Sequence, residues 1–529
     1  MLSVMEEQAQ TVYDEVLYPN YIYTQSHPDR LATVATLMGM HPAPVERCRV
    51  LEMACGDGSN LMPLALDFQK SEFVGIDLAA LPIERGKLLI EELGLKNIEL
   101  HRQDLMALPE TLGQFDYIIA HGLYSWIPPA VQDQVMAICA KRLSPHGVAY
   151  ISYNTYPGCR LREITRDIML FHTKDVKDRR ERLRQARALV KWLADAQVKT
   201  SAYQTFLQET QKAFEQKNDG ALYHDDLAEI NSPVYFHQFV AHAARYGLQF
   251  LSEADYFEAQ YHEFPAEVTE QLQQMSYESV LTKEQYLDFL KGRSFRQTML
   301  CRHNVALNRS IKPELIKNFY ITTEAKPAQA EPDIKSDAVE EFTHSSEGRM
   351  ATNNPLVKAA MLHLSRVHPR AVKFDQLLEA ARARTPVEGG QMSDDDSAQT
   401  LASALMQTYG AGVIELHMHA HEFTLEVSER PVASRLARAQ ARRGEVITTL
   451  LYKNIRLDDA LGRQLLLLLD GTRDHAAILR EMRALVEAGF ERSSQMEEIS
   501  GEKEEFLNAL PAQLEEKLAE LARLGLLKG

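Results

Sequence analysis

Residues 49–60 read RVLEMACGDGSN and give the strongest indication of how this chain folds. An apolar strand pattern runs into a turn of small residues, and a helix begins at Ser59 or Asn60. Glycines in such a turn let a ligand approach the backbone closely, and the first N–H groups of the following helix are unpaired. The stretch therefore predicts a ligand site at the end of a strand.

A second apolar run, over residues 74–77, ends in Asp77, 21 residues after Gly56. That is about the distance at which an acid at the tip of the next parallel strand receives the hydroxyl groups of a ribose. The two stretches together predict a ligand that contains a nucleoside and lies across neighbouring strand ends.

The residues of the turn distinguish between two cofactors. A dinucleotide-binding loop has a third glycine three residues after the second one, but Leu61 occupies that position. The acid on the preceding strand, Glu52, would repel a pyrophosphate but suits the ammonium group of a bound amino acid. The pattern Glu52-x-Ala54-x-Gly56-x-Gly58 resembles motif I of the Rossmann-like, S-adenosylmethionine-dependent methyltransferases. Ala54 replaces the first glycine of that motif. A methyl group fits there where the backbone stays in the β region, so we expect at most weaker or slightly shifted cofactor binding.

Three later segments continue the sheet pattern. Residues 98–105 form a strand that ends in Asp104 beside the apolar Leu105. The resemblance implies that this pair holds the adenine, the acid on its exocyclic amine and the apolar side chain on its ring. Residues 115–122 and 148–153 are the next buried strands. Strands that alternate with helices predict a doubly wound sheet with its ligand at the carboxyl ends of the strands.

The resemblance also implies roles for the other residues of the cofactor site. Glu52 holds the amino group of S-adenosylmethionine, and the N–H groups around Gly56 and Gly58 hold its carboxylate side. Asp77 receives the ribose hydroxyls. Tyrosines within residues 13–23 are placed to close over the methionine side chain. The remaining members of the predicted cofactor-binding set are Tyr18, Ala54, Asn60, Leu78 and His121.

Length and charge favour a large enzyme over a nucleic-acid-binding protein. The 529 residues are too many for one core and indicate about three domains. The net charge of −16 argues against charge-driven binding to DNA or RNA, which needs a basic footprint. One basic helix face is nevertheless present, formed by Arg435, Arg438, Arg442 and Arg443. We expect it to contact an acidic protein surface or the neighbouring domain.

Cysteine spacing and the N-terminal sequence indicate the compartment. The five cysteines have no C-x-x-C spacing, which argues against a zinc ribbon and a disulfide framework. The first residues lack the basic and apolar regions of a signal peptide, and no run of eighteen apolar residues occurs. The protein is therefore predicted to be soluble and cytoplasmic, without insertion into a membrane.

Two segments in the middle of the chain are not generic features of this fold. Residues 231–239 read NSPVYFHQF, and residues 294–298 read SFRQT. Together with residues 13–15 and 52–60, they resemble the bacterial methyltransferases that carry a methyltransferase regulatory domain, a group that includes the rickettsial protein lysine methyltransferases. The resemblance covers residues 11 to about 305 and implies that the middle domain helps to bind the substrate. The implied substrate is a protein with accessible lysines, such as a surface or outer-membrane protein before its export.

A polar group in the same region could suggest a metal site. It consists of His224, Asp225, Asp226 and His237. The spacings match no zinc template, and a His-Asp-Asp run suits a helix cap. We therefore predict no metal.

The C-terminal region is predicted to be winged-helix-like, because three helices are followed by a hairpin over residues 411–427. This part also resembles the C-terminal part of the lysine methyltransferases. His417, His419 and His421 share one face of the predicted strand. We expect that face to be solvated.

The predicted fold class is α/β: a Rossmann-like class I methyltransferase sheet, a mainly helical middle domain and a winged-helix-like C-terminal region. We place the S-adenosylmethionine-binding domain at residues 1–165, the helical regulatory domain at 166–323, a linker at 324–352 and the C-terminal domain at 353–529. The linker is assigned on its Pro, Ser, Glu and Asp content. We expect a chain without residues 353–529 to keep its cofactor affinity.

The predicted function is S-adenosylmethionine-dependent methyl transfer to a protein, with lysine as the favoured acceptor. The candidate catalytic group consists of aromatic residues after the fourth and fifth strands, where acceptors bind in this fold: Tyr124, Trp126, Tyr153 and Tyr156. Burial among aromatic groups lowers the cost of deprotonating a lysine. Two alternatives stay open, a small-molecule methyltransferase and an S-adenosylmethionine-binding scaffold without turnover.

Overall fold

The computed structural model describes residues 21–196, 201–261, 264–276, 279–345, 348–385, 393–488 and 500–529. Its central feature is a sheet of seven strands. These are β1 (Arg49–Met53), β2 (Glu72–Asp77), β3 (Ile98–Arg102), β4 (Phe115–Ala120), β5 (Leu143–Asn154), β6 (Leu248–Glu253) and β7 (Phe295–Arg302). They lie in the order β3-β2-β1-β4-β5-β7-β6, so the predicted Rossmann-like α/β sheet is confirmed.

The strand order creates a crevice beside β1. Strand β1 pairs in parallel with β2 on one side and with β4 on the other, and β3 and β5 extend the parallel part outwards. After β1 the chain continues to β2 and β3 on one side of it, and then crosses to β4 and β5 on the other side. The connections that follow β1 and β4 therefore lead away from each other and leave a crevice at the carboxyl ends of these two strands. A ligand site is expected at this point of an open α/β sheet.

Helices cover both faces of the parallel strands. They are α1 (Pro28–Leu37), α2 (Met62–Asp67), α3 (Ala80–Leu93) and α4 (Pro129–Arg142). Side chains alternate between the faces of each strand. Val50 and Tyr117 therefore belong to the core beneath α1 and α2, whereas Leu51 and Ile118 belong to the core beneath α4.

The middle of the chain is mainly helical, but it also completes the sheet. Its helices are α5 (Cys159–Thr173), α6 (Arg179–Asp195), α7 (Ala202–Gln216), α8 (Asp219–Asp226), α9 (Phe236–Arg245), α10 (Ala266–Met275) and α11 (Val280–Lys291). Strands β6 and β7 come from this region, and β7 pairs antiparallel with both β5 and β6. The sheet thus extends beyond the boundary predicted at residue 165, because its last two strands come from later in the chain.

The next part consists of three helices and a small sheet. The helices are α12 (Pro355–Val367), α13 (Phe374–Arg382) and α14 (Asp394–Gly410), and the strands of the sheet are β8 (Tyr320–Thr322), β12 (Val372–Lys373) and β13 (Glu415–His417). The hairpin predicted over residues 411–427 is wrong, since β13 pairs with β8 instead. Leu416 is buried with Ile321 in the core of this part, and the chain after β13 bonds to α1 rather than to a return strand.

The segment predicted to be a linker, 324–352, forms ordered structure over its described residues, 324–345 and 348–352. It contains β9 (Lys326–Pro327), β10 (Glu340–Thr343) and β11 (Arg349–Thr352), in the order β11-β10-β9. Phe342 is fully buried, and the buried ammonium of Lys358 donates to the carbonyl oxygens of Asp333, Ser336 and Ala338 at 2.7–2.8 Å. Composition indicated an exposed segment, but these contacts hold it against α12.

The last part of the chain docks on the first. It contains α15 (Arg435–Ala441), α16 (Ala460–Leu468), α17 (His475–Glu487), α18 (Ser500–Arg523) and the short strands β14 (Val432–Ala433), β15 (Val446–Thr448), β16 (Asn454–Arg456) and β17 (Leu527–Lys528). Arg442 and Arg443 form ion pairs with Glu92 of α3, so the expected contact with a neighbouring domain is confirmed. In the described part of the chain, no helix is long and apolar enough to span a membrane.

Candidate functional site

A cavity of about 900 Å³ opens at the carboxyl ends of the parallel strands. This volume lies near the upper end of the range for small-ligand pockets, about 300–1,000 Å³. Its wall includes most of the residues that the sequence assigns to the site: Glu52, Ala54, Gly56, Asn60, Asp77, Leu78, Asp104, Leu105, His121 and Trp126. Tyr18, also predicted to bind the cofactor, lies outside the described residues.

The turn after β1 is left-handed at three positions. Ala54 has φ 59°, Gly56 has φ 56° and Gly58 has φ 76°. Ala54 is therefore not in the β region, the conformation in which its methyl group was considered to fit, and that group carries a cost of about 1–2 kcal/mol here. Gly58 does not line the cavity: a Cβ added to it would lie 2.9 Å from Leu100 Cδ2, so this glycine lets the turn pack on β3.

Glu52 is buried at the end of β1 with one oxygen left without a partner. Its Oε1 accepts from Asn60 Nδ2 at 2.9 Å, whereas Oε2 is buried and forms no hydrogen bond with the described residues. Burial raises the pKa of Glu52 to about 8, with a smaller contribution from Asp77 and Asp57. Buried polar atoms are normally paired, so Oε2 is suited to receive an ammonium group from a ligand.

Asp77 holds the turn and faces the same cavity. Its Oδ2 accepts from the Gly56 N–H at 2.9 Å, and its Oδ1 accepts from the Ala79 N–H at 2.8 Å. Each carboxylate oxygen has a further lone pair. The arrangement can therefore fix the glycine turn and receive ribose hydroxyls together.

The residues predicted to contact the adenine lie at the far end of the strand edge. Asp104 lines the cavity and caps a short turn by accepting from the Met106 N–H at 2.9 Å. Leu105 and the half-exposed Leu78 line the cavity beside it. One acid flanked by apolar side chains can bind a purine by an edge contact and by stacking on its faces.

His121 follows β4 and is stacked on a tyrosine from the N-terminal segment. The ring centroids of His121 and Tyr23 lie 3.6 Å apart, and Nδ1 of His121 is 2.8 Å from the hydroxyl of Tyr150. Burial lowers the pKa of His121 to about 3, so the ring is neutral at physiological pH. Tyr23 of this segment also lines the cavity.

The four predicted acceptor-site aromatics are separated by the structure. Trp126 lines the cavity, but Tyr124, Tyr153 and Tyr156 do not. Tyr153 is fully buried, stacked on Phe239 at 4.0 Å, because alternation along β5 directs it to the core under α4 and α9. These three assignments to the acceptor site are therefore corrected.

Tyr124 and Tyr156 form other contacts. The Tyr124 hydroxyl is 2.7 Å from Nδ1 of the buried His242. The Tyr156 hydroxyl donates to Glu163 at 2.6 Å, and its ring lies under the guanidinium of Arg160. Both hydroxyls are thus engaged in contacts that support helices of the middle region.

A second group of lining residues was not assigned to the site from sequence. Its members come from the end of β5, from the middle helices and from the start of β7: Asn154, Arg162, His224, Asp225, Ser294 and Phe295. Arg162 donates to Asp226 at 2.7 Å and to the Asp225 carbonyl at 2.9 Å, which joins α5 to the last turn of α8. The polar run at 224–226 was the available signal, but only the packing of α8 brings it to the cavity.

The three alternating histidines do not form a solvated face. His417 lies 2.8 Å from Asp29, His419 lies 3.1 Å from Glu46, and His421 lies 3.3 Å from Asp67. The expectation of a solvated face is wrong, because β13 docks against acidic positions of the N-terminal part. Over the described ranges, no group of three or more His, Cys, Asp or Glu is arranged to hold a metal ion.

Three family models match parts of this sequence. A methyltransferase domain matches residues 50–147, a predicted methyltransferase regulatory domain matches residues 218–302, and the C-terminal winged helix domain of PKMT matches residues 429–526. The winged helix therefore lies later in the chain than the helices and hairpin from which it was predicted.

Relatives of known sequence and structure match most of the chain. The uncharacterized protein RP789 of Rickettsia prowazekii is 30% identical over 485 residues, which cover 90% of this chain and 86% of that protein. PKMT2 from Rickettsia typhi, solved in complex with AdoHcy, is 27% identical with a TM-score of 0.85, and the match covers 97% of this chain and all of that one. A second structure of PKMT2 is 28% identical, with a TM-score of 0.84 over the same coverage.

Proposed function

Because this chain belongs to the family of S-adenosylmethionine-dependent methyltransferases that combine a methyltransferase regulatory domain with a PKMT-type winged helix, we propose that it methylates lysine side chains of a protein. The observation that carries the proposal is the second part of the cavity wall. Trp126, Phe295, His224 and Asp225 continue the wall beyond the residues at the strand ends, so the cavity has space for an acceptor beside the cofactor.

We propose the following assignment for the cofactor end of the cavity. Glu52 binds the amino group, the N–H groups of the turn at Gly56 receive the carboxylate, Asp77 binds the ribose, and Asp104 with Leu105 binds the adenine. The buried Oε2 of Glu52 supports this assignment, because a ligand ammonium would supply the hydrogen bond that the described residues do not. S-adenosylmethionine supplies a methyl group on a positively charged sulfur atom.

A lysine acceptor must reach that methyl group as a neutral amine. At an ordinary pKa of about 10.4, deprotonation costs about 4 kcal/mol near pH ~7.4, at about 1.36 kcal/mol per pKa unit. The indole of Trp126 and the ring of Phe295 would lower the cost, since an apolar wall disfavours the ammonium. The amine lone pair then forms the N–C bond while the C–S bond breaks and its electrons stay on sulfur.

The acidic residue of the acceptor wall has a different role in the proposal. Asp225 or its neighbour His224 accepts the proton that leaves the nitrogen. Both residues belong to the matched regulatory domain. Alignment of the amine with the methyl group supplies the main part of the rate enhancement, up to about 7–11 kcal/mol for well-oriented groups.

The proposal also includes the substrate and the place of the reaction. A protein acceptor is gripped away from the reacting nitrogen, and such remote contacts help to position it. The middle and C-terminal regions offer a surface for these remote contacts. We keep the domain limits predicted at 165, 323 and 352, except that strands β6 and β7 of the middle region belong to the sheet of the first domain. Methylation in the cytoplasm of a surface or outer-membrane protein, before its export, completes the proposed function.

The experiment is methyl transfer from labelled S-adenosylmethionine by the full chain to proteins of a cell lysate. The labelled protein is hydrolysed to amino acids, and the labelled residue is identified by mass spectrometry. Methyllysine is the expected product. Label on carboxyl groups, on other side chains or only in small molecules would contradict the proposal.

Two variants separate this enzyme from background activity. Asp77→Ala should remove the label, because it loses the ribose contact and releases the Gly56 N–H. Glu72→Gln, at the opposite and exposed end of the same strand, should keep it. Equal labelling by both variants would assign the activity to another protein.

A further inference from the structure

A tyrosine from the C-terminal region reaches the cofactor end of the cavity. Tyr452 lies in the turn between β15 and β16, and its hydroxyl is 2.7 Å from Oδ1 and 2.6 Å from the carbonyl oxygen of Asn60. Its ring packs edge-on against His27, with centroids 4.5 Å apart. Tyr452 does not line the cavity, but its hydroxyl directly meets Asn60, which does.

The hydrogen bonds around Asn60 determine which way its amide points. The single proton of the Tyr452 hydroxyl lies between Oδ1 and the carbonyl oxygen of Asn60, and Oδ1 also accepts from the Tyr23 N–H at 2.9 Å. Nδ2 donates to Glu52 Oε1 at 2.9 Å and to Ser26 Oγ at 3.1 Å. A flipped amide would direct its NH₂ group at the Tyr23 N–H, which can only donate, would withdraw the Oδ1 acceptor from the Tyr452 proton, and would place its oxygen against Glu52 Oε1. The Tyr452 hydroxyl therefore helps to select the orientation in which Asn60 donates to Glu52.

That orientation decides how Glu52 meets a ligand. Because Oε1 is engaged by Asn60, the carboxylate is held with Oε2 as the oxygen that forms no bond to the described residues. Both Glu52 and Asn60 line the cavity. Without the Tyr452 hydroxyl, the Asn60 amide would lose one of the two donors that orient it, and the Glu52 carboxylate would be held less firmly.

The turn that carries Tyr452 is itself held in an unusual conformation. Tyr452 has φ 53°, and within the described ranges only one other non-glycine residue, Ala54 in the cofactor turn, has a positive φ. Thr449 stabilises the turn: its Oγ1 accepts from the N–H groups of Leu451 and Lys453 at 3.2 and 3.3 Å. Backbone strain of this kind persists where surrounding contacts impose it, and it is frequent at functional sites.

We propose that Tyr452 is a positioning residue for cofactor binding, which orients Asn60 so that Glu52 presents one oxygen to the ammonium group of S-adenosylmethionine. The proposal rests on the methyltransferase activity and not on the identity of the acceptor. It also makes the C-terminal region part of the cofactor site, contrary to the expectation that a chain without residues 353–529 keeps its cofactor affinity.

The test compares two ligands that differ only in the amino-acid part. S-adenosylhomocysteine has the ammonium group, whereas 5′-methylthioadenosine has the same adenosine and sulfur without it. Calorimetry on the full chain should show that Tyr452→Phe lowers the affinity for S-adenosylhomocysteine at least about fivefold. The affinity for 5′-methylthioadenosine should change less than about twofold. A general loosening of the fold would weaken both ligands, so equal losses would overturn the proposal, as would unchanged affinity for S-adenosylhomocysteine.

Tyr117→Phe is the matched control. It also removes one buried hydroxyl, which donates to the Ala43 carbonyl at 2.5 Å away from the cavity, and both ligands should bind it as they bind the parent chain. In methylation assays, Tyr452→Phe should raise KM for S-adenosylmethionine by the same factor and keep kcat at saturating cofactor within about twofold. A fall in kcat with unchanged KM would contradict the assigned role.

A double-mutant cycle and a second variant complete the design. If Tyr452 acts through Asn60, then adding Tyr452→Phe to Asn60→Ala should cost less than about twofold in S-adenosylhomocysteine affinity. Full additivity would overturn the proposal. Should Tyr452→Phe not fold, Thr449→Val is the second variant, because it keeps the Tyr452 hydroxyl but removes the Thr449 hydroxyl that stabilises the turn. It should produce the same selective loss of affinity for S-adenosylhomocysteine. Equal effects on both ligands would contradict the proposal.

Discussion

Asp29 Oδ2 lies 2.8 Å from Nδ1 of His417, a contact that joins helix α1 to strand β13 across 388 residues of sequence. The second oxygen of Asp29 accepts from the backbone N–H groups of Met418 and His419 at 2.7 and 2.9 Å. Asp29 is buried, so each of its oxygens is satisfied by the C-terminal part of the chain. This carboxylate is therefore a central polar contact in the docking of β13 on the N-terminal part.

The contact predicts a pH-dependent stability. Burial lowers the pKa of His417, but the hydrogen bonds to Asp29 and Glu415 outweigh it and raise the pKa to about 9. A pKa above the unfolded value of about 6.5 stabilises the fold fully below pH 6.5, and this contribution is lost as the pH rises through 9. It amounts to about 3–3.5 kcal/mol, at about 1.36 kcal/mol per pKa unit between 6.5 and 9.

Thermal unfolding of the parent chain and of His417→Gln should reveal this pH-dependent contribution of His417 to stability. The difference in Tm should be largest near pH 6 and should shrink toward pH 10. His475→Gln is the control, because His475 pairs with Glu515 at the surface and should change Tm much less. A difference that stays constant between pH 6 and 10 would show that His417 is neutral in the folded protein.

Cofactor binding should also depend on pH, through Glu52. Burial raises the pKa of Glu52 to about 8, so in the free protein the group is mostly protonated at pH 7. Because a ligand ammonium favours the carboxylate, binding should release close to one proton at pH 7, and affinity should rise as the pH approaches 8.

Calorimetry in buffers of different ionisation enthalpy measures this proton release. Glu52→Gln should bind S-adenosylhomocysteine more weakly and release no proton at this site. Equal proton release by the parent chain and the variant would exclude Glu52 as the group that titrates.

Ala54→Gly should stabilise the turn after β1. Alanine at φ 59° carries a cost of about 1–2 kcal/mol that glycine lacks, whereas glycine adds about 0.4–1 kcal/mol of unfolded-chain entropy. The net gain in the free energy of unfolding should lie between about 0 and 1.6 kcal/mol, measured by urea denaturation. Ala54→Val should be destabilising, since a branched side chain is less compatible with this conformation. A clear loss of stability in Ala54→Gly would mean that the methyl group makes packing contacts that outweigh the strain.

Arg296 should be among the most sensitive positions of β7. Its guanidinium is fully buried and pairs with Glu253 at 2.6 Å, Asp288 at 2.8 Å and Glu284 at 3.1 Å. Arg296→Met leaves Glu253 and Glu284 without this cation and Asp288 with Arg293 alone, and the expected loss is about 3–5 kcal/mol of unfolding free energy. Arg456→Met, at an exposed pair, should cost less than about 1 kcal/mol. Similar losses in the two variants by urea denaturation would contradict the stabilising role of the buried network.

Several residues of the candidate site could be predicted because their signal is local. About 30 residues contain the apolar strand β1, the small residues after it and the acid at the tip of β2. Asp104 and Leu105 are likewise identified by a short segment, the strand that they follow. Alternation along a strand is also local, but it does not say which face meets the ligand. For this reason Tyr153 was assigned to the acceptor site, although β5 turns it into the core.

The sequence by itself determined the Rossmann-like sheet, the cofactor class and the residues at its strand ends, because hydrophobic periodicity and turn chemistry act over short distances. Tertiary structure alone decided which distant groups complete the site. Tyr452 meets Asn60 across 392 residues, and Arg162 brings α8 to the cavity. Such pairs form because burial leaves polar groups that must find partners, and the partner is selected by how whole elements pack.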